Sequence, residues 1–106
     1  MFSLTDLNRI IVDRSTVTDG SSYTASLLQE GAGKCGRKFG EEAIELIIAS
    51  LSTDDKAVVA EGADVLYHFL VLLKSRGIAL DDVLGELENR TSRSGLEEKA
   101  SRKSKG

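Results

Sequence analysis

Apolar residues recur along this chain at intervals of three and four, the spacing of helices that turn one side inward. Leu4, Leu7, Ile10 and Ile11 set the first such stripe, and Ser3 stands where an N-cap belongs. The segment "STVTDGSS", Ser15 to Ser22, interrupts it as a polar linker. A short helix is expected from Tyr23 to Glu30, stopped by "GAG" at Gly31 to Gly33, and a longer one from about Lys34 to Leu51. Thr53, Asp54 and Asp55 open the next helix, because acidic side chains favour a helix N-terminus. "KSRG" closes it with a basic last turn and a glycine beyond the end. A last helix covers Leu80 to Arg90. Strand-like alternation is weak and proline is absent, so the fold class is all-α, an antiparallel helical bundle. Residues 1–90 form one domain, and residues 91–106 read as a polar, basic, flexible tail.

The two long helices complicate this scheme. In "GEEAIELIIA" the residues Ile44, Ile47 and Ile48, continued by Leu51, mark a core face, while Glu42 and Glu45 share the opposite stripe. In "EGADVLYHFL" Glu61, Asp64 and His68 form one stripe on a helix that is otherwise apolar nearly all round, and such a helix is buried on every side. One protomer has too few long helices to cover it, so homodimerisation is expected to complete the bundle. Gly36 and Gly40 each cost a helix interior about 1 kcal/mol relative to alanine. That cost implies either a close approach of a helix or ligand, or a helix that starts only at Gly40.

Carboxylates gathered where a core should be must protonate, pair with basic residues, or hold cations. The short connection "STDDK" sets the two helices antiparallel, so Glu42, Glu45, Glu61 and Asp64 can converge. Oxygen-only ligation suits magnesium, and manganese next. With a single histidine there is no Glu-x-x-His motif, so a di-iron bundle is excluded. The plain alternative is that the acids line a solvated first turn.

Charge narrows the field further. The 14 Lys and Arg against 17 Asp and Glu leave a net charge of −3, unlike the basic footprint of a nucleic-acid binder. The single Cys35 forms no internal disulfide and fits a reducing, cytoplasmic setting. No apolar run approaches a membrane span, and the N-terminus lacks a signal-peptide layout. Lys34 and Lys38 continue the Glu42 stripe toward the helix start, with Arg37 beside them. They suit the phosphates of a metal-bound chain, or else Lys38 makes an ordinary surface pair with Glu42. His68 supports Asp64 or sits as a satisfied core histidine. Tyr23 and Thr24 touch ligand or merely pack. Cys35 is a small inert side chain, and Arg90 reaches phosphate or favours a helix C-terminus.

Four segments in unbroken order, "SYTASLL", "K-x-x-x-K-x-G-E-E-A-x-E", "E-x-A-D-x-L-Y-H" and "G-x-x-L-D-D-V-L-x-E-L", resemble the phosphoribosyl-ATP pyrophosphatase family, from about Leu4 to Arg90. The wider MazG-like pyrophosphohydrolases share the acid pairs without the "SYTASLL" and "YH" contexts. The resemblance implies an all-helical homodimer that uses magnesium to hydrolyse phosphoribosyl-ATP to phosphoribosyl-AMP and pyrophosphate, the second step of histidine biosynthesis. It implies Glu42, Glu45, Glu61 and Asp64 as metal ligands, and Glu41 as the residue orienting the attacking water. It further implies Lys34 and Lys38 as phosphate contacts, and a functional link to phosphoribosyl-AMP cyclohydrolase. Cys35 departs from a usual aliphatic residue and Gly62 from a common alanine, the latter weakening its helix locally. A pyrophosphohydrolase for dNTPs or damaged nucleotides and a non-enzymatic dimerisation module are the competing readings.

Overall fold

The computed structural model describes residues 1–92, and their regular structure is entirely helical. Five helices follow one another: α1 Leu4–Ser15, α2 Tyr23–Gln29, α3 Ala32–Ser50, α4 Asp55–Ser75 and α5 Leu80–Thr91. The all-α expectation is borne out. The sequence boundary at Arg90 falls one residue short of the end of α5, and the remainder of the expected tail, residues 93–106, lies outside the described residues.

Local chemistry sets the helix ends. Ser3 caps α1 through a reciprocal pair of bonds: its hydroxyl accepts from the Asp6 N–H, and the Asp6 carboxylate accepts from the Ser3 N–H. The Ser22 hydroxyl accepts from the Ala25 N–H at the start of α2 and donates to the Arg14 carbonyl, which ties the linker back to α1. Asp54 accepts from the Lys56 and Ala57 N–H groups and starts α4. At the other end of α4, Gly77 takes φ +67°. There the Gly77 N–H bonds the Lys74 carbonyl and the Ile78 N–H the Leu73 carbonyl, the paired closure that a left-handed glycine permits. Gly31, at φ +92°, is the N-cap of α3. The "GAG" stop is therefore also a start: α3 begins at Ala32, not at Gly40. The close approach expected at the helical glycines is absent, since a Cβ on Gly40 would meet nothing within 4 Å and one on Gly36 would make ordinary contact with Leu72 at 3.8 Å.

The core gathers at one end of the molecule. Ile11, Leu27, Cys35, Leu70, Val71, Leu73 and Leu80 are buried together, joined by Leu4, Leu7, Leu28, Phe69 and Leu84. Cys35 is 1% exposed, its thiol donates to the Leu27 carbonyl, and burial pushes its pKa up, so it is the inert side chain that the sequence suggested. Leu70 and Val71 are fully buried, which places the C-terminal half of α4 at the centre of the packing.

Two expectations about the long helices are corrected. The face of α3 read as core is in water: Ile44, Ile47, Ile48 and Leu51 are 59%, 60%, 63% and 84% exposed. The helix instead turns its Cys35, Phe39 and Glu42 side toward α4, where Phe39 and Phe69 lie 6.0 Å apart. Nor is α4 buried on every side, because Val59 and Leu66 are exposed on its N-terminal half. The α3–α4 pair thus extends beyond the core, carrying an uncovered aliphatic surface with it.

Replacing Leu70 by alanine should cost about 2–5 kcal/mol, as cavities at fully buried leucines do. Gly62→Ala should stabilise by roughly 0.5–1 kcal/mol, since the added methyl meets open space and alanine favours the helix. Urea unfolding of both variants in chelator checks the two signs together.

Candidate metal and phosphate site

The antiparallel register of α3 and α4 builds the site. Gly36 faces Leu72, and Phe39 faces Phe69. Along the same seam the charges of Lys38 and Glu42 act on His68, and those of Glu45 and Glu42 act on Glu61. The structure brings together Glu42, Glu45 and Glu61, each with a carboxylate oxygen within 4.8 Å of the others. Glu42 and Glu61 are half-buried and Glu45 is exposed. Asp64, expected as the fourth member, lies on the neighbouring turn, is exposed, and falls outside that group of three.

Electrostatics marks Glu61 as the strained member. Its Oε2 is buried with no hydrogen-bond partner. Burial raises its pKa first, and the negative charges of Glu45, Asp64 and Glu42 raise it further. A buried oxygen without a partner among the described residues, facing two other carboxylates, belongs to a donor set suited to a cation. All-oxygen donors suit a hard divalent ion, so the residues present fit magnesium or manganese.

The basic residues flank this group on α3. Lys38 pairs with Glu41 at 3.4 Å rather than with Glu42, and that hydrogen bond is the main cause of its raised pKa. Glu41 is exposed, on the outer side of the acid stripe. Lys34 is half-buried and Arg37 exposed, and neither forms a salt bridge among the described residues. Arg90 sits on α5, paired with Glu86 at 3.0 Å.

An aromatic group borders the lysine end. Tyr23 and Tyr67 stack at 6.3 Å between ring centroids, and His68 meets both edge-on, at 6.2 Å and 5.0 Å. Thr24 is buried and shares a hydrogen bond with the Tyr67 hydroxyl, so its part is packing that docks α2 on α4. Tyr23 is 54% exposed at the edge of the site. His68 is not the satisfied core histidine: it is buried, and its Nδ1 has no partner. Sequence reasoning did not single out Tyr67, although its place three residues after Asp64 puts it beside the acid stripe.

No helix of the described residues is long and apolar enough to cross a membrane.

Comparison with known proteins supplies the family. The phosphoribosyl-ATP pyrophosphohydrolase family matches residues 4–91, which takes in all of the residues above. Phosphoribosyl-ATP pyrophosphatase 1 of Bradyrhizobium diazoefficiens is 55% identical over 102 residues, 96% of each chain. The phosphoribosyl-ATP pyrophosphatase of Azorhizobium caulinodans is 51% identical over 94% of this chain and 92% of its own. That of Methylobacterium nodulans is 50% identical over 96% and 95%. With the match spanning nearly the whole chain at this identity, the protein belongs to the phosphoribosyl-ATP pyrophosphohydrolase family.

Proposed function

We infer that this chain hydrolyses phosphoribosyl-ATP to phosphoribosyl-AMP and pyrophosphate, the second step of histidine biosynthesis, at the carboxylate group between α3 and α4. The observation that carries the reading is Glu61: a half-buried carboxylate with an unpartnered oxygen, facing Glu42 and Glu45, in a chain of this family. Glu42, Glu45 and Glu61 would hold magnesium, with Asp64 as the fourth ligand. Bound there, magnesium supplies charge neutralisation to the phosphate oxygens and a lowered pKa to water.

The protein's own groups do the rest. Lys38 and Lys34 hold phosphate oxygens and offset the charge that builds on departing pyrophosphate, with Arg37 at the rim. Water attacks the α-phosphorus, a new O–P bond forms, and the bond from that phosphorus to the bridging oxygen breaks as pyrophosphate leaves. The proton of the attacking water passes to a carboxylate, a role that Glu41 would take once phosphate draws Lys38 away from it. The product suits phosphoribosyl-AMP cyclohydrolase, the functional link expected in a cytoplasmic pathway.

We further infer that the active form is a homodimer. Three aliphatic side chains of α3 (Ile44, Ile47 and Ile48), Leu51 just past its end, and Val59 and Leu66 of α4 are exposed on the side away from the carboxylates. Burying each would contribute about 1.5–3 kcal/mol, and a second copy presents the same face to meet them.

Three measurements test these readings. Pyrophosphate release should require magnesium, should be steady with phosphoribosyl-ATP and negligible with dNTPs, and should fall at least about a hundredfold in Glu45→Gln and Asp64→Asn without loss of helicity. Unchanged turnover in both variants removes the metal site. For Glu61 the folded-state pKa lies above the unfolded one, so the native state binds more protons, and stability present below the unfolded carboxylate pKa is lost as pH rises from there through the raised folded value. In chelator, Glu61→Gln should therefore gain stability over the parent as pH rises from about 4 to 7, and added magnesium should raise the melting temperature of the parent more than that of the variant. Finally, Ile47→Glu should convert the assembly to monomers by sedimentation. A parent chain that is already monomeric at micromolar concentration overturns the dimer.

A further inference from the structure

Among the described residues, two buried side-chain polar atoms lack any partner, Glu61 Oε2 and His68 Nδ1. Both belong to the same stripe of α4, one turn to either side of Asp64. An orphaned polar atom in a protein interior is costly, so two on one stripe point to something that is meant to lie along it. The cation group accounts for Glu61. It does not account for His68, which lies about two helical turns beyond Glu61 and does not belong to the carboxylate group.

The surroundings of His68 define what could meet it. The side chain is 6% exposed, and Tyr23 and Tyr67 fix the ring by edge contacts. Across the helix pair stands Lys38, and the ring also feels Glu42, Asp64 and Glu41. Burial lowers its pKa, so the imidazole is neutral near pH 7 and carries one N–H. The Nδ1 of that ring finds no hydrogen-bond acceptor among the described residues. An anion brought in by Lys38 supplies one.

We propose that His68 is a substrate-contacting residue, whose Nδ1–H donates a hydrogen bond to a phosphate oxygen of the chain that Lys38 holds. This rests on reading the site as a polyphosphate site and extends it. The phosphate chain then runs lengthwise along the α3–α4 groove, from the three glutamates at one end to the Lys38–His68 pair at the other. Tyr67 and Tyr23 serve as the brace that keeps the ring from turning, so the donor is set before substrate arrives.

The test uses the full-length protein with magnesium and inorganic tripolyphosphate as the probe, read by calorimetry, alongside KM and kcat for phosphoribosyl-ATP. His68→Leu keeps the volume and removes the donor. His68→Asn places an amide N–H near the position of Nδ1. We expect His68→Leu to bind tripolyphosphate about tenfold or more weakly and to raise KM similarly, with a melting temperature equal to or above that of the parent because an orphaned atom is gone. His68→Asn should retain most of the affinity. Equal tripolyphosphate binding by the parent and His68→Leu overturns the contact while leaving the polyphosphate reading intact. Failure of the parent itself to bind tripolyphosphate with magnesium overturns both. Should His68→Leu fail to fold, His68→Gln replaces it, since its amide sits near Nε2: affinity retained in His68→Asn and lost in His68→Gln supports the contact, and identical affinities overturn it.

Discussion

Like charges set across a helix–helix seam govern this molecule. Glu42 and Glu45 on α3 face Glu61 on α4 in a half-buried position, and carboxylates in such a setting repel one another more strongly than they would in water. No lysine or arginine joins that group of three; the neighbouring lysine, Lys38, is drawn aside by Glu41. Burial and the neighbouring carboxylates raise the pKa of Glu61, so its ionised form is the one that the seam disfavours. Everything placed around the seam fits a missing positive charge: basic residues one and two turns away, a histidine without a partner, and exposed aliphatic side chains on the outer face.

Helix boundaries were legible in the sequence because they depend on neighbouring residues. Ser3, Asp54 and the Arg76–Gly77 ending each act within one turn, and each does what its chemistry requires. The face of α3 was not legible in the same way. That helix has two apolar sides, one of Ile44, Ile47, Ile48 and Leu51, the other of Cys35, Phe39 and Leu46 in line with Glu42. Periodicity reports both and ranks the first higher, because it holds the larger side chains and no acid. What decides is the partner: α4 offers Phe69 and Leu72 in the register that meets Phe39 and Gly36, and this carries the acids inward with them.

The site shows the same division. The convergence of Glu42, Glu45 and Glu61 could be read from spacing, since i, i+3 pairs on antiparallel helices meet when the connection is short. The exposure of Asp64 and the pairing of Lys38 with Glu41 rather than Glu42 could not, because side-chain rotamers and small shifts of register decide them. Tyr67 escaped notice for a different reason. An aromatic residue in an apolar run looks like core, and only its hydroxyl bond to Thr24 and its contact with His68 show that it ties α2 to the border of the site.

A protomer whose core lies at one end leaves its charged seam on the less supported half of the α3–α4 pair. That placement links catalysis and assembly in the proposed function. If a second copy covers the α3 aliphatic face, it braces the half of the α3–α4 pair that the core does not reach, and carboxylate repulsion across the seam works against that pairing in the metal-free protein. A bound cation reverses the sign, because attraction to the carboxylates draws α3 and α4 together. Metal binding and association should then favour each other, and by linkage each must strengthen the other to the same degree. Magnesium would thus tighten the dimer without touching an aliphatic side chain, through the charge of Glu42 and Glu45 on the opposite face of α3 and of Glu61 across the seam on α4.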